Sequence, residues 1–157
     1  MVNAARLLAL NNAHAEQTSL LGPVRLQRMI AGAFRVATIG DIECFLIAFD
    51  QDADYDSPNF LWLRARHDRF VYVDRIVTAP EARNRGHAAR LYRDLFAQGT
   101  VAGHDRVLCE VNRVPPNPGS DAFHERLGFT EIGQATSAAG KTVRYLERRL
   151  TPADQTG

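Results

Sequence analysis

Apolar and polar positions follow two periods along the chain, and each period predicts a type of element. Leu7-Leu8-Ala9-Leu10 is a short apolar run that reads as a first strand, and residues from about Ala13 to Leu21 read as a helix. Pro23 suits the first turn of a second helix, with Leu26, Met29, Ile30 and Ala33 at helical spacing. Phe34 to Ile39 and Ile42 to Phe49 are apolar runs parted by Gly40-Asp41, which predicts a hairpin. Asp50 to Asn59 is a polar, acidic loop, and Ser57-Pro58 can start a short helical piece carrying Phe60, Trp62 and Leu63. Phe70 to Thr78 is the next strand. A helix from about Gly86 to Gln98 collects Ala88, Leu91, Tyr92, Leu95 and Phe96 on one face, away from Arg90, Arg93 and Asp94. Arg106 to Val111 reads as a strand and Val114 to Gly119 as a stiff, proline-rich loop. Ser120 or Asp121 can cap a short helix that stops at Gly128. Phe129 to Ala135 and Thr142 to Leu150 form a last strand pair around an Ala-Gly-Lys turn.

The resulting order, β-α-α-β-β-β-α-β-α-β-β, predicts one α/β (α+β) domain over residues 1–150. Its sheet is mixed, mostly antiparallel and flanked by helices. Residues 151–157 are expected to form a flexible tail. With a net charge of +1, electrostatics gives no reason to expect a nucleic acid or an anionic membrane as partner. No apolar stretch approaches the ~20 residues of a membrane span, and the N-terminus lacks the pattern of a signal peptide. A cytoplasmic location fits these features. Cys44 and Cys109 lie in apolar runs and read as buried thiols, and no metal-ligand spacing is present.

Arg83-Asn84-Arg85-Gly86-His87-Ala88 changes the picture. It joins a strand to a helix through a small-residue turn, which leaves unsatisfied N–H groups at a helix N-terminus where the dipole favours an anion. Gly86 can take φ > 0 and presents no side chain to a ligand. A phosphate-bearing ligand is therefore expected there. The pattern is not the G-x-G-x-x-G of a dinucleotide-binding fold, and it comes late in the chain.

Arg83, Gly86 and Ala88 match Gln/Arg-x-x-Gly-x-Gly/Ala position by position. Asn117, Gly128 and Phe129 match a second signature one strand later, Asn-x-x-Ala-x-x-Leu-Tyr-x-x-x-Gly-Phe. Ser120 and Phe123 are mild departures from it, and His124 stands where tyrosine is usual. On both motifs the chain resembles the GNAT superfamily of acetyl-CoA-dependent N-acetyltransferases. The resemblance implies a sheet whose strands splay at a cofactor cleft between Phe70–Thr78 and Arg106–Val111. It implies that main-chain groups of Ile76, Val77 and Thr78 hold the pantetheine and thioester. Arg83 and the amides of Arg85, Gly86, His87, Ala88, Ala89 and Arg90 would hold the pyrophosphate, and Asn117 the lower pantetheine arm. Acetyl-CoA would be the co-substrate, with no metal, and a homodimer is common among such domains.

The implied reaction is acetyl transfer to a primary amine by direct attack in a ternary complex. An amine of pKa ~10 must first lose a proton. Asp74 is the leading base on the sequence, sharing a strand face with Ile76 and Thr78 by the period-2 rule. Its alternative is a structural carboxylate paired with Arg75 or Arg35. Glu110, on the neighbouring strand, is the second base candidate. His124 is the candidate acid for the departing thiolate, or only packs in the cleft, with Tyr92 and Tyr145 as substitutes if the fold brings either near. Asp54, Tyr55 and Asp56 are either a solvated loop or an attractor for a cationic amine at the cleft mouth. Three other outcomes stay open: another acyl-CoA as donor, a peptide N-terminal amine as acceptor, and a CoA-binding sensor without turnover.

Overall fold

Six strands, β1 (Arg35–Ile39), β2 (Cys44–Asp50), β3 (Val71–Thr78), β4 (Arg106–Val114), β5 (Thr130–Thr136) and β6 (Thr142–Arg149), pair in the order β1-β2-β3-β4-β6-β5. The computed structural model describes residues 2–15, 18–114 and 116–156. All neighbours are antiparallel except β3 and β4, which run parallel and pair only at Val71 with Val107 and Tyr72 with Leu108. Beyond that short ladder the two strands part, so the sheet is the mixed, mostly antiparallel one expected, with its opening at β3/β4.

A bulge helps part them. Ile47 of β2 pairs with Arg75 while Ala48 pairs with Val73, so Asp74 is an extra residue on β3. Bulges bend a strand and increase its twist. This bulge also shifts the side-chain alternation by one. Asp74 and Arg75 both bond to groups on the side of the sheet where Tyr72 and Val77 pack, whereas Ile76 packs with Cys44 and Val73 on the other side. The expectation that Asp74 shares a face with Ile76 and Thr78 is thereby corrected.

Five helices cover the two faces: α1 (Ala4–Ala13), α2 (Pro23–Gly32), α3 (Pro58–Arg64), α4 (His87–Val101) and α5 (Pro118–Arg126). On one face Leu7, Leu26, Met29 and Phe60 meet Phe45, Phe49 and Tyr72. On the other, Leu91, Tyr92, Leu95 and Phe96 of α4 meet Leu46, Val71 and Val107.

Leu7-Leu8-Ala9-Leu10 is helical, not a strand. Asn3 Oδ1 accepts from Arg6 N–H and caps the segment, and Leu7 and Asn11 sit one turn apart on its buried side. An alanine- and leucine-rich run has high helix propensity, and a four-residue apolar run carries no period of its own to exclude it. The helix expected over Ala13–Leu21 is absent where the chain is described, Glu16 and Gln17 lying outside the described residues. Instead, Asn11 Nδ2 donates to Ser19 C=O (2.8 Å) and Asn12 Nδ2 to Leu21 C=O (3.0 Å), so side chains of α1 satisfy backbone that a helix would otherwise pair. The cap of α5 is Asn117, whose Oδ1 accepts from Ser120 N–H, rather than Ser120 or Asp121. Pro152–Thr156, part of the expected tail, forms a 3-10 turn, with Asp154 accepting from Arg148 and from Thr151 N–H at 2.7 Å each.

Candidate active site

The loop into α4 has the backbone its sequence demands. Asn84 and Gly86 have φ of 64° and 76°, and Gly86 is the N-cap of α4. No side chain caps this helix, so its first-turn N–H groups remain available. A Cβ at Gly86 would meet nothing within 4 Å, so glycine is needed there for its φ rather than for space inside the protein. Arg83, Arg85 and Arg90 are exposed and have no ion-pair partner among the described residues. His87 Nε2 lies 3.3 Å from Glu43. An N-terminus of a 15-residue helix with free N–H groups and three unpaired guanidinium groups fits a pyrophosphate.

The gap between β3 and β4 opens into a cavity of about 860 Å³. Its walls include Ile76 and Asn117, together with Asp74, Glu110 and His124, so the splay gathers the three catalytic candidates around one space. Val77 and Thr78 carry β3 on towards the phosphate loop. The β4-facing N–H and C=O groups of β3 after Tyr72 have no strand partner and remain free for a ligand.

Glu110 lies deep in this cavity. Tyr72 O–H donates to Oε1 (2.6 Å) and Asn59 Nδ2 donates to the same oxygen (2.8 Å). Tyr145 O–H in turn donates to Asn59 Oδ1 (2.8 Å). Burial raises the Glu110 pKa to about 7, the charge of Asp74 pushing the same way and the Tyr72 and Asn59 bonds opposing it. A carboxylate poised near neutrality is suited to take a proton from an ammonium.

Asp74 has a different environment. Arg75 Nε donates to Oδ2 (2.7 Å), Tyr55 O–H donates to Oδ1 (2.6 Å), and the two side chains of the ion pair are only 6% and 5% exposed. Arg75 continues to Asn11 Oδ1 (2.9 Å) and Ser19 Oγ (3.4 Å). Of its two readings, the geometry supports the paired carboxylate, with Arg75 as partner; Arg35 instead bonds Asp94.

His124 is buried. Its Nδ1 is 2.7 Å from Ser120 C=O, which can only accept, so Nδ1 carries the proton and Nε2 accepts from Tyr92 O–H (3.0 Å). Burial lowers the His124 pKa, with Ser120 and Asp121 opposing. The ring is therefore neutral at pH 7 and has no spare proton facing the cleft, contrary to the acid role read from the sequence. Tyr92 is the phenol beside it, its pKa held well above 10 chiefly by burial.

Of the acidic loop, Tyr55 and Asp56 line the cavity and Asp54 does not; Asp56 pairs with Arg25 (3.3 Å), and Tyr55 stacks on Phe49 while bonding Asp74. Sequence reasoning missed Tyr72, Asn59 and Trp62. Trp62 stacks on Tyr145 with ring centres 4.0 Å apart and walls the cavity beside Glu110. Only strand parity could have signalled Tyr72, whose partner across β3/β4, Leu108, lies two residues before Glu110 and so on the same face.

Three solved structures share the fold. A ribosomal-protein-alanine N-acetyltransferase from Brucella melitensis is 17% identical, with 94% of each chain covered and a TM-score of 0.70. The NatC complex bound to Gag peptide and CoA is 13% identical over 96% of this chain and 92% of that one, TM-score 0.70. A nourseothricin acetyltransferase is 23% identical over 74% of this chain and 64% of that one, TM-score 0.56. No curated protein sequence matches the chain. Among the described residues no helix is long and apolar enough to cross a membrane. The model of the acetyltransferase (GNAT) family matches residues 41–129, from the β1–β2 turn through the phosphate loop to Phe129, and with more than half its length matched the chain belongs to that family of acetyltransferases.

Proposed function

We propose that the protein transfers the acetyl group of acetyl-CoA to a primary amine in a ternary complex, with Glu110 as the general base. The observation that carries this is a carboxylate with a pKa near 7 inside the cleft where β3 and β4 part. Acetyl-CoA supplies the activated thioester. The α4 N-terminus with Arg83, Arg85, Gly86, His87, Ala88, Ala89 and Arg90 binds its pyrophosphate, and Ile76, Val77, Thr78 and Asn117 bind the pantetheine. Two solved structures of the same fold hold CoA with a peptide, and acetyl-CoA, which supports a CoA ligand for this cleft.

Glu110 takes one proton from the ammonium, and the freed nitrogen lone pair forms the N–C bond. As the C–S bond breaks, its electron pair stays on sulfur. Tyr92 O–H supplies the proton to that sulfur, the second proton lost by the acylated nitrogen returns to Tyr92, and His124, fixed by Ser120 C=O, holds the Tyr92 oxygen in place. Asp74 is a positioning residue, holding Arg75 and through it the connection between α1 and α2.

The test is turnover. Protein, acetyl-CoA and a panel of amino acids, polyamines, aminoglycosides and short peptides are incubated, and free CoA and product mass are read together. An acetylated amine is expected, with Glu110→Gln lowering kcat by about 10²–10⁴-fold. Tight CoA binding without product from any acceptor would instead support a CoA-binding sensor.

A further inference from the structure

We infer that the amine acceptor carries an anionic group separated from its amine by an apolar spacer, and that Lys141 receives that group at the cleft rim. The inference rests on the transferase reading above and names the chemistry of its acceptor.

The charges of the acceptor side decide the sign. Asp74 is consumed by Arg75 at 2.7 Å and Asp56 by Arg25 at 3.3 Å. Glu110 accepts from Tyr72 and Asn59 and is the base. Lys141, the only lysine in the chain, lines the same cavity, and its Nζ has no hydrogen-bond or ion-pair partner among the described residues. Among the described residues that line the cavity, the one charged side chain besides the base that has no ion-pair partner is therefore positive. A di- or polyamine would bring a second cation towards Lys141, whereas an anion would complete it.

The strand geometry gives the spacing. Glu110 pairs directly with Tyr145 across β4/β6, Tyr145 and Val143 share one face of β6, and Lys141 stands in the turn just before that strand, all three lining the cavity. Lys141 is four residues from Tyr145, about 13 Å at ~3.3 Å per residue, with its flexible stem able to reach back over part of that distance. Val143 and, from β5, Ala135 line the wall between the two ends. The turn fixes the position: Ser137 N–H donates to Lys141 C=O (2.8 Å) and Lys141 N–H to Ser137 Oγ (3.3 Å). An α-amino acid, with only two bonds between amine and carboxylate carbons, is too short to span this trough. An ω-amino acid of five or more carbons, or a peptide N-terminus with an acidic residue two or three positions along, has the required separation.

The experiment compares kcat/KM for a series of ω-amino acids from three to eight carbons with alkylamines of equal length, and for Ala-Ala-Glu with Ala-Ala-Gln. The wild type should favour the acid-bearing member at the longer lengths by about fivefold, the size of one exposed ion pair of ~1 kcal/mol. Lys141→Ala should remove that preference and Lys141→Glu reverse it. The peptide and ω-amino acid arms distinguish the two sources of the shared chemistry. Turnover of the plain amines with no preference for the acid, or a preference that survives Lys141→Ala, would overturn this inference while leaving the transferase reading intact. Absence of turnover on every acceptor would overturn both.

Discussion

Asp74 and Glu110 face one cleft, and their partners give them different work. Asp74 receives an arginine on one oxygen and a phenol on the other, so both oxygens are already held by the fold. Glu110 receives only neutral donors in a buried setting, and its proton affinity rises. From the sequence Asp74 leads, because a residue-by-residue reading sees strand position but not the bulge that turns it towards Arg75 and α1. The two roles separate experimentally. Asp74→Asn leaves a buried Arg75 without its counter-charge, which costs about 3–5 kcal/mol where a buried pair is broken. A fall in denaturant midpoint is expected for Asp74→Asn, with kcat retained by the folded fraction. Loss of kcat at wild-type stability would return the base role to Asp74.

At the scale of elements, what holds the cleft open is legible only in part. The loop from Arg83 to Ala88 is readable from sequence because its geometry is local: a glycine at positive φ, then a helix start. The acceptor wall is not, because it rests on contacts between elements far apart in the chain. Gly133 on β5 sits opposite Tyr145, and Trp62 from α3 lies against both. A Cβ at Gly133 would stand 2.6 Å from Trp62 Cη2, so this glycine is required by a neighbour rather than by its own backbone. Gly133→Ala should push Trp62 off Tyr145, costing about 1–3 kcal/mol for the overpacking. Trp62 is the only tryptophan, so intrinsic fluorescence reports the displacement directly. A changed emission maximum with a raised acceptor KM is expected, and an unchanged spectrum would show that the wall yields elsewhere.

For the whole molecule, period-2 and period-3.6 patterns suffice to find β1 to β6 and α2 to α5, since each buries a continuous face. They do not find α1 or the connection after it, where Asn11, Asn12 and Arg75 supply the order through side-chain bonds across the fold. The same fold that makes Glu110 a base places a cost on its stability. Its pKa is about 7 in the folded chain against an ordinary 4.5. Below pH 4.5 both states hold the proton and nothing is lost. Between 4.5 and 7 the unfolded chain has released it and the folded chain has not, so folding stability falls as pH rises, by at most about 1.4 kcal/mol for each pH step of one. His67, His104 and His124, all lowered by burial, act in the opposite direction across the same range, because their unfolded forms bind the extra protons. Wild-type stability alone therefore mixes the two effects, whereas the difference between Glu110→Gln and wild type cancels the histidines. That difference should grow in favour of Glu110→Gln from pH 5 to pH 8, by on the order of 2–3 kcal/mol, as read from urea midpoints. A difference that stays constant across this range would show that the folded chain holds Glu110 at its ordinary pKa, and would remove the ground on which it serves as the base.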